Sequence, residues 1–177
     1  MSKTFDIELD VCVNRGLTWP AYTTNLDKAT IINDGQDVKV IKHTGSVSKN
    51  VTLEYVSKRQ EETVVEDGKI VRDQSIEIQH LWIDGIKLPV HMIEKLSLYY
   101  PAYRPDFLEY CKTQSISVDY GPLHNIKFWH AGTWSILLDS DFWFKYKVIK
   151  QPDSGTDFTG NSSEEIKQSL ERIKSLL

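Results

Sequence analysis

The sequence predicts a mainly β chain: an antiparallel β-sandwich of jelly-roll type, with a short helical connection and a C-terminal α-helix. Three observations carry this. Phe5, Ile7, Leu9, Val11 and Val13 alternate with Asp6, Glu8, Asp10, Cys12 and Asn14, the period-two pattern of a strand with one face on a core. Residues 73–88, DQSIEIQHLWIDGIKL, repeat the alternation and then reach Asp84-Gly85, a pair that tolerates positive φ and marks a tight reversal. Short apolar runs recur between turn signals, with no strand and long-helix alternation of the kind that builds a parallel sheet.

Composition bounds the rest. A chain of 177 residues, 40% hydrophobic and 26% charged, fits one domain able to bury a core without disulfide or metal staples. The net charge of −4 and the lack of a Lys/Arg-rich run point away from nucleic acid, whose binding needs a basic surface to release counterions. No run approaches the ~18 consecutive apolar residues of a membrane helix, and the first residues read as a strand rather than a leader. A cytoplasmic protein with no membrane partner is expected. Cys12 and Cys111 form no metal or disulfide pattern and read as reduced thiols.

Each element follows from its local pattern. Asp6, Glu8 and Asp10 share the polar face of the first strand, but same-face neighbours about 7 Å apart are too distant to hold one ion without further ligands, so a solvated outer face is expected. Residues 15–22 contain Gly16 and Pro20 and read as a loop. Residues 26–32 fit either a helical turn or a strand. Asn33-Asp34-Gly35 turns the chain into a strand over 38–43, which Gly45-Ser46 ends. Residues 50–56 place Val51, Leu53 and Tyr55 together. The charged residues 61–66 pair across Asp67-Gly68 as a projecting hairpin. Strict alternation through 73–88 sets Ile76, Ile78, His80 and Trp82 on one face, against Glu77, Gln79, Leu81 and Ile83.

From Val90 the spacing turns helical, through Met92, Ile93, Leu96 and Tyr99 or Tyr100, and stops before Pro101. Pro105 opens a second short helix through Tyr110, with Asp106 suited to its first turn. Residues 116–119 and 124–130 read as strands and Ala131-Gly132 as a reversal. Trp134, Ile136 and Leu138 then alternate, Asp139-Ser140-Asp141 turns the chain, and 142–149 form a last strand. The domain spans 1–150 and a polar linker 151–162. Ser162-Ser163-Glu164-Glu165 is a capping box, and it starts an amphipathic helix over 163–177 whose stripe is Ile166, Leu170, Ile173 and Leu177. That stripe docks either on the chain's own sheet or on another chain.

The five histidines show no spacing that sets two imidazoles on one metal, and no phosphate loop, nucleophile elbow or Cys-His pattern is present. No metal, cofactor or catalytic residue is therefore expected, and a small β domain without such a signature reads as a binding or structural module. The aromatic inventory, five Trp and eight Tyr, exceeds what a small core comfortably hides. Trp19, Tyr22, Tyr99, Tyr100 and Tyr103 fall in expected loops or connections, where flat rings stack on sugars or anchor interfaces.

Lys58, Asp73-Gln74 leading into Ile76-Glu77-Ile78, the run Trp82-Ile83-Asp84-Gly85-Ile86, the segment Tyr100-Pro101-Ala102-Tyr103 and the late Gly132-Thr133-Trp134 together resemble small β-sandwich proteins of tailed bacteriophages, especially T4-like marine phages. In outline they are also similar to calcium-dependent carbohydrate-binding modules, although the clustered aspartates and the Asp-Arg-Asn run typical of those modules are absent here. The resemblance covers about residues 50–146. It implies a capsid decoration or tail-associated protein, made in the host cytoplasm and carried in the virion, that docks on capsid or tail subunits, or on itself, through Ile166, Leu170, Ile173 and Leu177. The alternative it implies is a module that binds a polysaccharide through Trp19, Tyr22, Tyr99, Tyr100 or Tyr103.

Overall fold

The computed structural model describes residues 3–139 together with Phe142 and Trp143. The strand expected over 142–149 falls outside the described residues apart from its first two positions, and the linker 151–162 and the helix 163–177 fall wholly outside them. In chain order the elements are β1 (Phe5–Asn14), β2 (Ala21–Thr24), β3 (Lys28–Asp34), β4 (Val38–Val47), β5 (Asn50–Ser57), β6 (Thr63–Glu66), β7 (Lys69–Asp73), β8 (Ser75–Ile83) and β9 (Ile86–Lys87), then α1 (Val90–Leu96), β10 (Ser97–Ala102), α2 (Pro105–Thr113), β11 (Lys127–Phe128) and β12 (Ala131–Leu137). The chain is mainly β and its sheets are antiparallel throughout.

The larger sheet runs β11, β8, β1, β4, β3, with β9 paired to β8; the smaller runs β10, β12, β5, β2; among the described residues β6 and β7 pair only with each other. Inward residues of both sheets meet in one buried cluster. Phe5, Ile7, Leu9, Val11 and Val13 of β1 join Ile76, Ile78, Leu81 and Ile83 of β8 from one sheet, and Val51, Leu53, Tyr55, Trp134 and Ile136 close the cluster from the other. Met92 and Ile93 of α1 are fully buried in it, so the short helix joins the core through one face.

Strict alternation through β8 is corrected by a bulge. Asp10 of β1 pairs with His80, but Val11 pairs with Ile78, which leaves Gln79 over. Ile76 and Ile78 are therefore buried together with Leu81 and Ile83, while His80 and Trp82 share the outer face and stand half-exposed. The apolar pairs are three residues apart across the bulge, so a regular strand would expose one of them. Burying a branched side chain contributes about 1.5–3 kcal/mol, more than the roughly 1 kcal/mol net of a lost ladder bond. The bulge is the cheaper solution.

Other expectations also shift. Of residues 26–32, the part from Lys28 onward resolves as strand, in β3, while Leu26 and Asp27 are irregular. Gly45 does not end β4: it pairs with Ile7 in mid-strand, where a Cβ would lie 2.9 Å from the Asp27 amide nitrogen. The close approach of the preceding loop, not a break, explains this glycine. Helical spacing ends at Leu96, and Tyr99, Tyr100 and Pro101 belong to β10, since pairing with β12 outcompetes the continuing pattern. Residues 116–119 are irregular, and the strand expected over 124–130 shrinks to Lys127–Phe128. Gly132 is not a reversal but pairs with Tyr55 and Pro101 within β12.

Two short elements match their signals. Pro105 stands at the start of α2 with Asp106 in its first turn, as fixed φ and the helix dipole favour. Asp67 and Gly68 take φ of 51° and 73°, the positive values a two-residue hairpin turn requires.

Candidate functional site

Between β7 and β8 the chain changes sheets at a single buried residue, Gln74. Its carbonyl oxygen accepts a bond from the Tyr55 hydroxyl at 2.6 Å, and its amide nitrogen donates to the Thr18 carbonyl at 3.0 Å. Buried Glu62 closes the network, accepting the Thr18 amide at 2.9 Å and hydroxyl at 2.7 Å. Burial alone would raise this carboxyl, but the two Thr18 bonds, the Leu17 backbone and the Arg59 charge together outweigh it and hold it below its ordinary range. This knot fixes the base of the β6–β7 hairpin against the loop that carries Gly16.

Above the knot the hairpin faces β10, α2 and the turn before β12 across a cleft of about 640 Å³, a size typical of ligand sites. Val65 and Ile70 wall it on the hairpin side, and Phe107, Trp129 and Ala131 wall it opposite. Lys58, Asp73, Arg104 and His130 supply the polar groups. Lys58 and Asp73 form an ion pair, with side chains 8% and 18% exposed. The same Asp73 oxygen, Oδ1, also accepts the Thr63 hydroxyl at 2.7 Å. Arg104 Nε and Nη2 fork onto Asp106 at 3.1 and 2.9 Å, and Nη1 reaches the Lys58 carbonyl at 3.4 Å.

His130 packs its ring on Phe107 at 4.6 Å and edge-on to Tyr103 at 4.8 Å. Burial, then the nearby Lys58 and Arg104 cations, hold its pKa below the ordinary value against the pull of Asp73. Its imidazole is therefore neutral near pH 7.

The aromatic residues marked from sequence fall in two separate groups. Trp19 packs half-buried on the core under the Lys39 ammonium, 4.6 Å from the ring centre. Tyr22 lies on β2 with its hydroxyl 2.8 Å from His43 Nε2. Tyr99 is not an exposed ring: it is 3% exposed on β10, stacked on Phe128 at 4.5 Å, and its hydroxyl donates to the His130 carbonyl at 2.6 Å. Strand pairing with β12 turns it inward. Tyr100 is 47% exposed. Tyr103 stacks on Phe107 and donates to the Asp119 carbonyl at 2.8 Å. Ile166, Leu170, Ile173 and Leu177 lie outside the described residues.

Sequence reasoning missed Arg104, Phe107, Trp129 and His130 as cleft residues, because they come together only through the pairing of β10 with β12. Lys58 and Asp73 stood in the sequence as marks of resemblance rather than as an ion pair. The dense aromatics from Tyr99 to Tyr110 were the one signal pointing to this side of the molecule. On the outer face of the large sheet, buried Asp10 accepts a hydrogen bond from His80 Nδ1 at 3.1 Å, and Lys42 pairs with Glu8 at 2.9 Å. Among the described residues no group of three His, Cys, Asp or Glu side chains is placed to hold a metal ion, and no helix is long and apolar enough to cross a membrane. No protein-family model, curated protein or solved structure matches the chain.

Proposed function

We propose that this chain is a non-catalytic binding protein, a sandwich of jelly-roll type, that docks on a partner protein. The setting supplied by the resemblance is a phage virion, with a capsid or tail subunit as partner. The observation that supports docking is the β6–β7 hairpin, which pairs with no other strand among the described residues and leaves Val65, Ile70 and Val71 exposed by 56%, 64% and 54%. Clustered apolar exposure on a projecting element is the usual mark of a contact surface. At about 25 cal/mol per Å², covering such a face contributes a few kcal/mol before association costs. That is weak for one copy and effective where many copies act together. The stripe Ile166, Leu170, Ile173 and Leu177 serves as a second anchor in this reading.

Mass spectrometry of purified phage particles tests it. The chain is expected in the particles, and Val71→Asp is expected to remove it while leaving the isolated protein folded. Particles that lack the wild-type chain would sink the virion setting.

The second reading, a polysaccharide-binding module, is favoured by one observation: Trp129 is 46% exposed and lines the cleft together with Gln60 and Asp73. A flat ring flanked by hydrogen-bonding groups suits a sugar ring. Saturable fluorescence change with a polysaccharide, lost in Trp129→Ala, would replace the docking reading with this one.

A further inference from the structure

We infer that the cleft beneath the β6–β7 hairpin binds a small uncharged molecule made of a flat apolar body and a hydroxyl group. This goes beyond the docking reading, which uses the exposed hairpin and needs no cleft ligand.

Charge is settled within the protein itself. Lys58 pairs with Asp73, and Arg104 holds Asp106 through Nε and Nη2 at 3.1 and 2.9 Å. Each cation at the cleft therefore has its own carboxylate, and the polar end carries no surplus charge. A charged ligand would either break one of these pairs or enter an apolar space without a counter-charge, and both are costly. What remains at that end is His130. It lines the cleft, and its imidazole lies near enough to Lys58, Arg104 and Asp73 to feel all three charges. Among the described residues its ring nitrogens have no hydrogen-bond partner. A neutral imidazole presents one N–H donor and one lone-pair acceptor, and a hydroxyl both gives and accepts a hydrogen bond. A hydroxyl therefore pairs with either nitrogen, whereas a carbonyl or an ether meets only the donor.

The walls set the rest of the ligand. Val65, Ile70, Phe107 and Trp129 line a volume of about 640 Å³, and covering their apolar surface drives binding. Phe107 and Trp129 offer flat rings, which favour offset or edge contact with another ring. A sugar carries hydroxyls around its whole ring, and Val65, Ile70 and Phe107 have no side-chain partner to give them. An aromatic or similarly flat body with one hydroxyl matches both the walls and His130.

Nuclear magnetic resonance titration of the full chain at about pH 7.5, above the ordinary histidine value, tests this. The probes are benzyl alcohol, toluene, benzoate, benzylamine and a methyl glucoside, read at the Trp129 indole, the Ala131 amide and the His130 ring. Benzyl alcohol is expected to give saturable shifts, with benzoate and benzylamine each at least about tenfold weaker. His130→Phe keeps a ring in place and removes the hydrogen bond. It is expected to weaken benzyl alcohol about tenfold and leave toluene unchanged, while Val65→Ser weakens both. If His130→Phe does not fold, the wild-type chain decides alone: the His130 ring signals move with benzyl alcohol and not with toluene, and the two ions bind more weakly than the alcohol. An ion that binds as tightly as the alcohol, no saturable shift with the alcohol, or binding of the glucoside in its place would each overturn the inference. So would a His130→Phe chain that binds the alcohol undiminished, or that loses alcohol and toluene alike. Val71 does not line the cleft, so none of these results bears on whether Val71→Asp displaces the chain from particles.

Discussion

Gln74 shows how much rests on single residues where the chain changes sheets. Tyr55 is fully buried at the end of a strand whose inward face is otherwise Val51 and Leu53, and its hydroxyl reaches the Gln74 carbonyl oxygen. Burial raises its pKa, so the hydroxyl stays protonated and donates. Tyr55→Phe leaves that buried acceptor unpaired and is expected to cost about 1–3 kcal/mol in urea unfolding. The sequence marked Tyr55 as a core residue by its spacing, but not Gln74, since nothing in a polar residue's neighbours says that it will be buried.

Two histidines, buried His43 and half-buried His130, set the acid side of the stability profile. Burial lowers the pKa of His43, and burial with Lys58 and Arg104 lowers that of His130. Between the lowered folded values and the ordinary value near 6.5, the unfolded chain binds more protons than the native one. Stability is therefore complete above about pH 6.5 and falls as pH drops through that window. Glu62, whose pKa is held low, adds a separate loss only at more acid pH, below the ordinary range for carboxylates. Urea unfolding at pH 7.5 and 5.5, values chosen to bracket the histidine window at about 6.5, should show lower stability at the acid end. His130→Gln should reduce that difference, and a flat profile would contradict the assignment.

At the scale of elements, sequence pattern and pairing disagree most at β8. Periodicity placed its apolar residues on opposite faces, and the bulge at Gln79 put them on one. Deleting Gln79 would restore regular pairing but force either Ile76 and Ile78 or Leu81 and Ile83 outward. The expected cost is more than about 3 kcal/mol, since two fully buried branched side chains are lost from the core; thermal unfolding measures it. A near-neutral deletion would show that the bulge is not what aligns the two pairs. The hairpins were easier to read, because Asp67-Gly68 and Asp84-Gly85 carry their instruction in the backbone itself. β10 was not, because its helical spacing was overridden by a partner, β12, more than thirty residues away in the chain.

At the scale of the molecule, one core draws on both sheets from Phe5 to Phe142. A chain ending at Lys150 keeps every residue of that cluster, so it is expected to unfold cooperatively by calorimetry. In the docking reading it also loses the stripe at Ile166, Leu170, Ile173 and Leu177, and light scattering should show any self-association of the full chain disappear. A truncated chain with no cooperative transition would mean that the core depends on residues 151–177.

The sequence by itself determined the β class, the antiparallel pairing, the tight turns at Asp67-Gly68 and Asp84-Gly85 and the inward faces of β1, β5 and β12, because these depend on interactions between residues one or two apart. Only the tertiary structure decided the bulge in β8, the sheet change at Gln74, the burial of Tyr99 and the cleft. Each of those arises where distant segments compete for one partner or one space. Lys58 meets Asp73, and Arg104 and Trp129 join the same cleft, because the sheet order brings them together, and sheet order is written in no local pattern.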